Sequence, residues 1–248
     1  GFRMQECDDF ELERTVQRGV FQPDIAALTT IETSEKPVRS VAVIGAGIAG
    51  CLLANNLARR GCVVTLIDSA EEAGSAASGN LQGAMYVKLG VEFNHQTQLA
   101  LSALMFSQRY YDSYRDTLWH PTGLLQLAWS DSEQDRQRRF IERNHYPEDL
   151  LRPVTRLEAE NLTGARLESG GFPGSGWLEP GKLCKSLALH SGIHKVLGRS
   201  IKHMATSGGK WCLSTEDSDI QADCVVICAG HQSPQLIPGS GKFRFKAI

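Results

Sequence analysis

The chain has 248 residues, enough to bury a substantial core in one large domain or two. A hydrophobic share of 42% and a charged share of 22% are those of a folded globular protein, and a net charge of −2 offers no global attraction to nucleic acid. No apolar run approaches the ~20 residues that cross a bilayer, and the opening residues lack the apolar core of a signal peptide, so the expected location is the cytoplasm.

Residues 1–38 hold few periodic apolar positions. Asp8, Asp9, Glu11 and Glu13, followed later by Thr29-Thr-Ile-Glu-Thr-Ser-Glu-Lys-Pro37, read as a linker into the first strand. The next stretch carries the strongest signal. Val41-Ala-Val-Ile44 reads as a strand, and Gly45, Gly47 and Gly50 form G-x-G-x-x-G directly after it. A helix and a second strand, Val63–Ile67, follow, and Asp68 ends that strand at the usual distance of about 20 residues. Glycines there allow a tight turn whose backbone N–H groups approach a pyrophosphate at a helix N-terminus, and the acid can bond ribose hydroxyls. An adenine dinucleotide is therefore the expected ligand. The helix is expected to turn Ile48, Leu52, Leu53 and Leu57 towards the sheet, with Arg59 and Arg60 in its last turn and Gly61 as its C-terminal cap.

Gly74-Ser-Ala-Ala-Ser-Gly-Asn-Leu-Gln-Gly83 is a run of small and polar residues able to lie against a bulky ligand, or equally to form a plain loop. Apolar spacing predicts a helix over 97–118, then a strand over Gly123–Trp129, then a charged helix over 132–144 whose arginines are balanced by Glu133, Asp135 and Glu142. Gly170–Pro180 is rich in turn residues and precedes another helix. Strands are predicted over Lys195–His203, Trp211–Thr215 and Asp223–Gly230. The last of these, Cys224-Val-Val-Ile-Cys-Ala-Gly230, is a buried strand ending in Ala-Gly, as at the carboxyl edge of a doubly wound sheet. Two glycine-ended strands so far apart imply an α/β nucleotide domain interrupted by an inserted substrate domain over residues 86–178.

The seven cysteines are odd in number and contain no C-x-x-C pair. Cys224 and Cys228 would share one strand face about 13 Å apart, too far for a disulfide or a common metal. Reduced, buried thiols are expected and no metal site is assigned. His190 and His194 have helical spacing, but Gly192 and the missing glutamate leave no zinc-hydrolase motif.

Ala77-Ser-Gly-Asn-Leu-Gln-Gly-Ala-Met-Tyr86 resembles the second flavin-binding segment of the FAD-dependent amine oxidases that include glycine oxidase and D-amino acid oxidase. Gly171–Pro180 and Val225–His231 support the likeness, which covers residues 40–231. Within that family the chain is most similar to the oxidoreductase half of bifunctional tRNA-modifying enzymes, and Gly1-Phe-Arg-Met resembles the tail of their methyltransferase domain. The resemblance implies a Rossmann-like FAD-binding domain with an inserted α+β substrate domain, of glutathione reductase-like or D-amino acid oxidase-like type. It implies boundaries at 1–38 (methyltransferase tail and linker), 39–85 (first FAD-binding part), 86–178 (partial substrate domain) and 179–248 (second FAD-binding part).

FAD is the implied cofactor; NAD would satisfy the first fingerprint alone but not the 77–86 string. Gly45, Ala46, Gly47 and Gly50 would face the pyrophosphate and Asp68 the adenosine ribose, bonding differently from the longer glutamate common in relatives. Ser78, Gly79, Asn80, Gln82 and Gly83 would lie beside the pyrophosphate and flavin ring, Ala229 and Gly230 near the ribityl or ADP part, and the Ile201 backbone near adenine. The implied reaction removes the carboxymethyl part of a carboxymethylaminomethyl group on the wobble uridine of tRNA, before a fused methyltransferase domain uses S-adenosylmethionine. By the same likeness the groups that bind the substrate carboxylate lie beyond Ile248, so the chain reads as a fragment and no catalytic acid or base is assigned. His120, Tyr86 and His231 are the positions able to approach the site. Two other readings stand beside this one: a flavin oxidase of free glycine, D-amino acids or small secondary amines, and a non-catalytic nucleotide-binding module.

Overall fold

A computed structural model describes residues 2–9, 14–21, 37–87, 90–148, 150–164 and 176–237. They fall into two units, residues 1–38 and residues 39–248. In the first, β1 (Phe2–Asp9) and β2 (Arg14–Phe21) pair antiparallel in an unbroken register from Phe2↔Phe21 to Asp9↔Arg14. This corrects the expectation of a linker across that stretch. A two-stranded ladder is held by backbone groups and leaves little hydrophobic periodicity to read. Residues 22–36, the rest of the expected linker, lie outside the described residues.

The second unit is built on a parallel sheet of β3 (Ser40–Ile44), β4 (Val63–Asp68), β8 (Ile193–Leu197) and β12 (Cys224–Ile227), in the order β12-β3-β4-β8. Cys224 pairs with Val41, Val41 with Val64, and Val64 with Ile193. Val41 to Ile44 are all buried, which is why β3 reads as a continuous apolar run. Alternate residues enter different cores. Val41 and Val43 join a cluster with α1 (Ile48–Arg59) and α5 (Pro180–Leu187), whereas Ala42 and Ile44 pack with Leu213 and Ala222. The second cluster is covered by an antiparallel meander of β9 (His203–Ser207), β10 (Lys210–Ser214) and β11 (Asp219–Ala222).

The sheet side of α1 differs from the expectation. Gly50, Cys51, Ala54 and Ala58 are the buried residues, while Ile48, Leu52, Leu53 and Leu57 are only half-buried. Small side chains let the helix lie close to the strands at the glycine turn; the leucines pack sideways instead. Leu52 and Leu53 line a cleft of about 250 Å³ with Phe106 and Tyr110 of α2 (His95–Tyr111). Gly61, at φ +88°, ends α1 as expected.

A three-stranded antiparallel sheet joins β5 (Gly83–Met85), β7 (Gly176–Leu178) and β6 (Trp119–His120). Among the described residues, Gly123–Trp129 does not form the strand expected there. That backbone pairs with no strand among the described residues, and the Gln126 carbonyl instead accepts from Gln137 of α3 (Asp131–Arg143). The charges of α3 form local ion pairs, Arg138 with Asp135 and Glu142 among them, as a solvated face should. Further on, α4 (Arg156–Thr163) is capped by Thr155 and ends at Gly164, φ +67°. The strand expected over Lys195–His203 is two strands, β8 and β9, because Gly198 turns the chain at φ +69°.

At the amino edge of the parallel sheet, Asp223 clamps β12 to β3. Its Oδ2 accepts from Arg39 N–H (3.0 Å), Ser40 N–H (2.8 Å) and the Ser40 hydroxyl (2.9 Å), and its own N–H donates to Ser40 Oγ (3.0 Å). The Ser40 and Arg39 N–H groups, with the Ser40 hydroxyl, pull the carboxyl from 3.8 to about 2. A depressed carboxyl contributes stability that is complete above its ordinary value and is lost as pH falls through the folded one. Asp223→Asn should therefore flatten the acid limb of stability between pH 3.8 and about 2, read from melting temperatures across that range.

Candidate functional site

The glycine turn sits at the carboxyl edge of β3, against the ends of β4 and β12. Gly45 adopts φ +108° and donates to the Ile67 carbonyl at 2.7 Å. A Cβ on it would lie 2.4 Å from the Cys228 carbonyl oxygen, so only glycine lets the turn meet the end of β12. Gly50 serves the helix side: a Cβ there would lie 1.8 Å from the Gly45 carbonyl oxygen. Ala229 follows Cys228 against this turn, and Gly230, φ +55°, opens a short 3-10 turn beyond it.

Ala46, 1% exposed, is bonded on both sides. Its N–H donates to Asp68 Oδ2 at 2.6 Å, and its carbonyl accepts from Gly74 N–H (2.8 Å) and the Cys51 thiol (3.2 Å). Asp68 Oδ1 takes a second backbone donor, Ala70 N–H, at 2.8 Å. The two expected site residues are thus brought into direct contact, with the Ala46 N–H turned to the acid. Cys51 is held as a thiol, its pKa driven far up by the hydrogen bond to Cys184 and by burial.

Ser78 lies on the 3-10 turn Ala76–Gly79 and reaches the start of α1, where its Oγ accepts from Ile48 N–H at 3.0 Å. Accepting through a lone pair leaves its hydroxyl proton to donate. Among the described residues no acceptor bonds the Gly47 N–H. A donor hydroxyl, an unspent N–H and the positive end of a twelve-residue helix therefore meet at one point, which fits a pyrophosphate. Around that point Ala76, Ala77 and Gly79 are exposed and small. Gly74, at φ +78°, packs the segment onto α5, since a Cβ on it would lie 2.8 Å from Gly181. Gly74 and Gly181 were not singled out by motif; the Pro180-Gly181 helix start was their available signal.

Asn80 is exposed and bonds the Ala77 carbonyl (3.0 Å), Gln82 is exposed, and Gly83 begins β5 beside Pro180. Ile201 packs into the core cluster on the meander side of the sheet. His120 stacks on Trp177 with ring centroids 3.9 Å apart, and its Nε2 is buried without a hydrogen-bond partner, 3.9 Å from Glu179 Oε1. Tyr86 and His231 are exposed. Among the described residues there is no cluster of histidine, cysteine and acidic side chains able to hold a metal, and no helix long and apolar enough to cross a membrane. Gly171–Ser175, part of the string that carried the family likeness, lies outside the described residues.

A tRNA 5-methylaminomethyl-2-thiouridine biosynthesis bifunctional protein of Marinobacter nauticus is 44% identical across 100% of the chain, which covers 40% of that protein. Its counterpart in Chromohalobacter salexigens is 38% identical over 83% of the chain and 30% of that protein. The chain thus spans two fifths or less of the length of these relatives. Among solved structures, glycine oxidase from Geobacillus kaustophilus shares the fold with a TM-score of 0.65 at 23% identity, over 79% of this chain and 56% of that one. L-proline dehydrogenase from P. horikoshii has a TM-score of 0.62 at 21% identity, over 85% and 58%. The profile of the FAD dependent oxidoreductase family matches residues 40–246, and the chain belongs to that family.

Proposed function

We propose that this chain is the flavin-binding part of an enzyme that removes the carboxymethyl group from 5-carboxymethylaminomethyluridine, or its 2-thio form, at the wobble position of tRNA. The observation that carries this reading is the 44% identity to a bifunctional tRNA-modifying protein along the whole chain, hairpin included. In the full-length protein a methyltransferase domain, supplied with S-adenosylmethionine, would act on the product amine, and residues 1–38 would be its tail together with the linker. Residues 39–85 and 179–248 would hold the cofactor, and residues 86–178 would begin the substrate region.

When bound, FAD supplies the electron acceptor for the C–H bond beside the amine. The chain's own residues bind and orient it. Gly47 N–H and the Ser78 hydroxyl would hold the pyrophosphate at the α1 N-terminus, Asp68 would serve the ribose, and Gly79, Asn80, Gln82 and Gly83 would lie beside the pyrophosphate and ring. Gly45, Ala46 and Gly50 shape the turn, Ala229 and Gly230 back it, and the Ile201 backbone would contact adenine.

The test is anaerobic mixing of the FAD-loaded full-length protein with tRNA carrying the carboxymethylaminomethyl group, or with glycine. Loss of the oxidised flavin absorbance with the tRNA and not with glycine is the expected result. Bleaching by glycine alone would assign the protein to free amino acid oxidation. A protein that stays colourless after reconstitution would leave only nucleotide binding.

A further inference from the structure

Asp68 stands where a dinucleotide site puts an acid for ribose, yet both oxygens of its carboxylate are bonded by the chain's own backbone. Oδ2 takes the Ala46 N–H at 2.6 Å and Oδ1 the Ala70 N–H at 2.8 Å. The first bond closes the turn between β3 and α1; the second closes the turn that leaves β4. The Asp68 carbonyl extends the same junction by accepting from Arg199 N–H at 2.9 Å, beside Gly198 N–H on the Ala70 carbonyl at 2.8 Å. Three chain segments are thus tied together at one residue. Ala46 is almost fully buried, so its N–H has no water to turn to if the carboxylate is removed.

We infer that Asp68 is a positioning residue that closes the glycine turn through bonds that need no cofactor, a role separate from any contact with ribose. The short side chain is what makes this possible. Glutamate, longer by one methylene, would carry the carboxylate past the Ala46 N–H towards the ligand. The inference rests on the flavin-site reading only for its consequence: a turn already closed leaves Gly47 N–H and Ser78 aligned for the pyrophosphate, which lowers the ordering cost of binding.

Hydrogen exchange by mass spectrometry on the full-length, flavin-free protein tests it. In the wild type, the peptide containing Ala46 should be protected without FAD. Asp68→Asn, nearly isosteric, should raise exchange at Ala46 by about tenfold to a hundredfold, the range for a lost hydrogen bond to a charged group. Asp68→Glu should lose that protection too, although it keeps an acid on the ribose side. An unprotected Ala46 amide in the flavin-free wild type overturns the inference without any variant. So does an Asp68→Asn protein that exchanges like wild type and merely binds FAD less tightly. A wild type that protects Ala46 but never takes up FAD would sink the flavin reading and leave the closed turn intact.

Discussion

Gly50→Ala is expected to cost more than about 4 kcal/mol and to leave no bound flavin. The added Cβ would sit 1.8 Å from the Gly45 carbonyl oxygen and 3.4 Å from the Cys228 Cβ. Neither obstacle is the free end of a flexible side chain. The carbonyl belongs to the turn itself, and Cys228 belongs to the strand end that Gly45 already touches. Relief requires α1 to lift away from β3, which would expose Cys51 and Ala54, both 0% exposed. Thermal melting of the full-length variant, with visible absorbance after FAD reconstitution, checks both parts. A variant that melts like wild type and turns yellow would show that the helix has room to shift.

Trp119→Ala is the second large effect, at about 3–5 kcal/mol for a buried indole. Trp119 is 2% exposed and lies tilted against Tyr111 with ring centroids 6.4 Å apart. Its ring also approaches the Gly176 backbone so closely that a Cβ there would lie 2.6 Å from Cη2. Burial pushes the Tyr111 hydroxyl up to about 12, the sign of a phenol shut away from water on the other side of the same contact. Trp119 belongs to one buried cluster with Val43, Cys51 and Leu66 of the nucleotide layer. The indole therefore stitches the β5-β7-β6 sheet to the α1 and α5 face of the parallel sheet. The cavity left by alanine should lower the denaturation midpoint and weaken FAD affinity together, whereas Trp119→Phe should lose less of both. An unchanged FAD affinity in a destabilised Trp119→Ala protein would show that the two regions are mechanically independent.

Those two residues also mark how far the sequence could be read. The spacing of Gly45, Gly47 and Gly50 between two apolar runs was legible because the turn, the helix and the strand order all follow from local chemistry. Ser78 was legible as part of a small, polar run and of a family string, but its bond to Ile48 N–H depends on a fold in which residues thirty positions apart meet. Three things escaped the pattern. The face of α1 was misread because periodicity rewards large apolar side chains, while close approach to a sheet selects glycine, cysteine and alanine. Gly123–Trp129 has strand-like composition, but a strand exists only where a neighbour offers a ladder, and among the described residues this stretch joins none. The hairpin of β1 and β2 has little hydrophobic alternation to betray it. Asp68 was found as an acid in the right place; that its carboxylate faces its own backbone could be learned only from the folded turn.

The contact between Gly45 and the Cys228 carbonyl has a consequence for biosynthesis. The wall behind the glycine turn comes from a strand made almost 180 residues later, Cys224–Ile227, in register with Val41–Ile44. A nascent chain that has emerged only as far as the glycine-rich helix and the small-residue segment has the loop without its backing. Flavin capture must then wait until the ribosome has passed β12, and translation pauses upstream of that point would lengthen the time spent as an empty, unsealed intermediate.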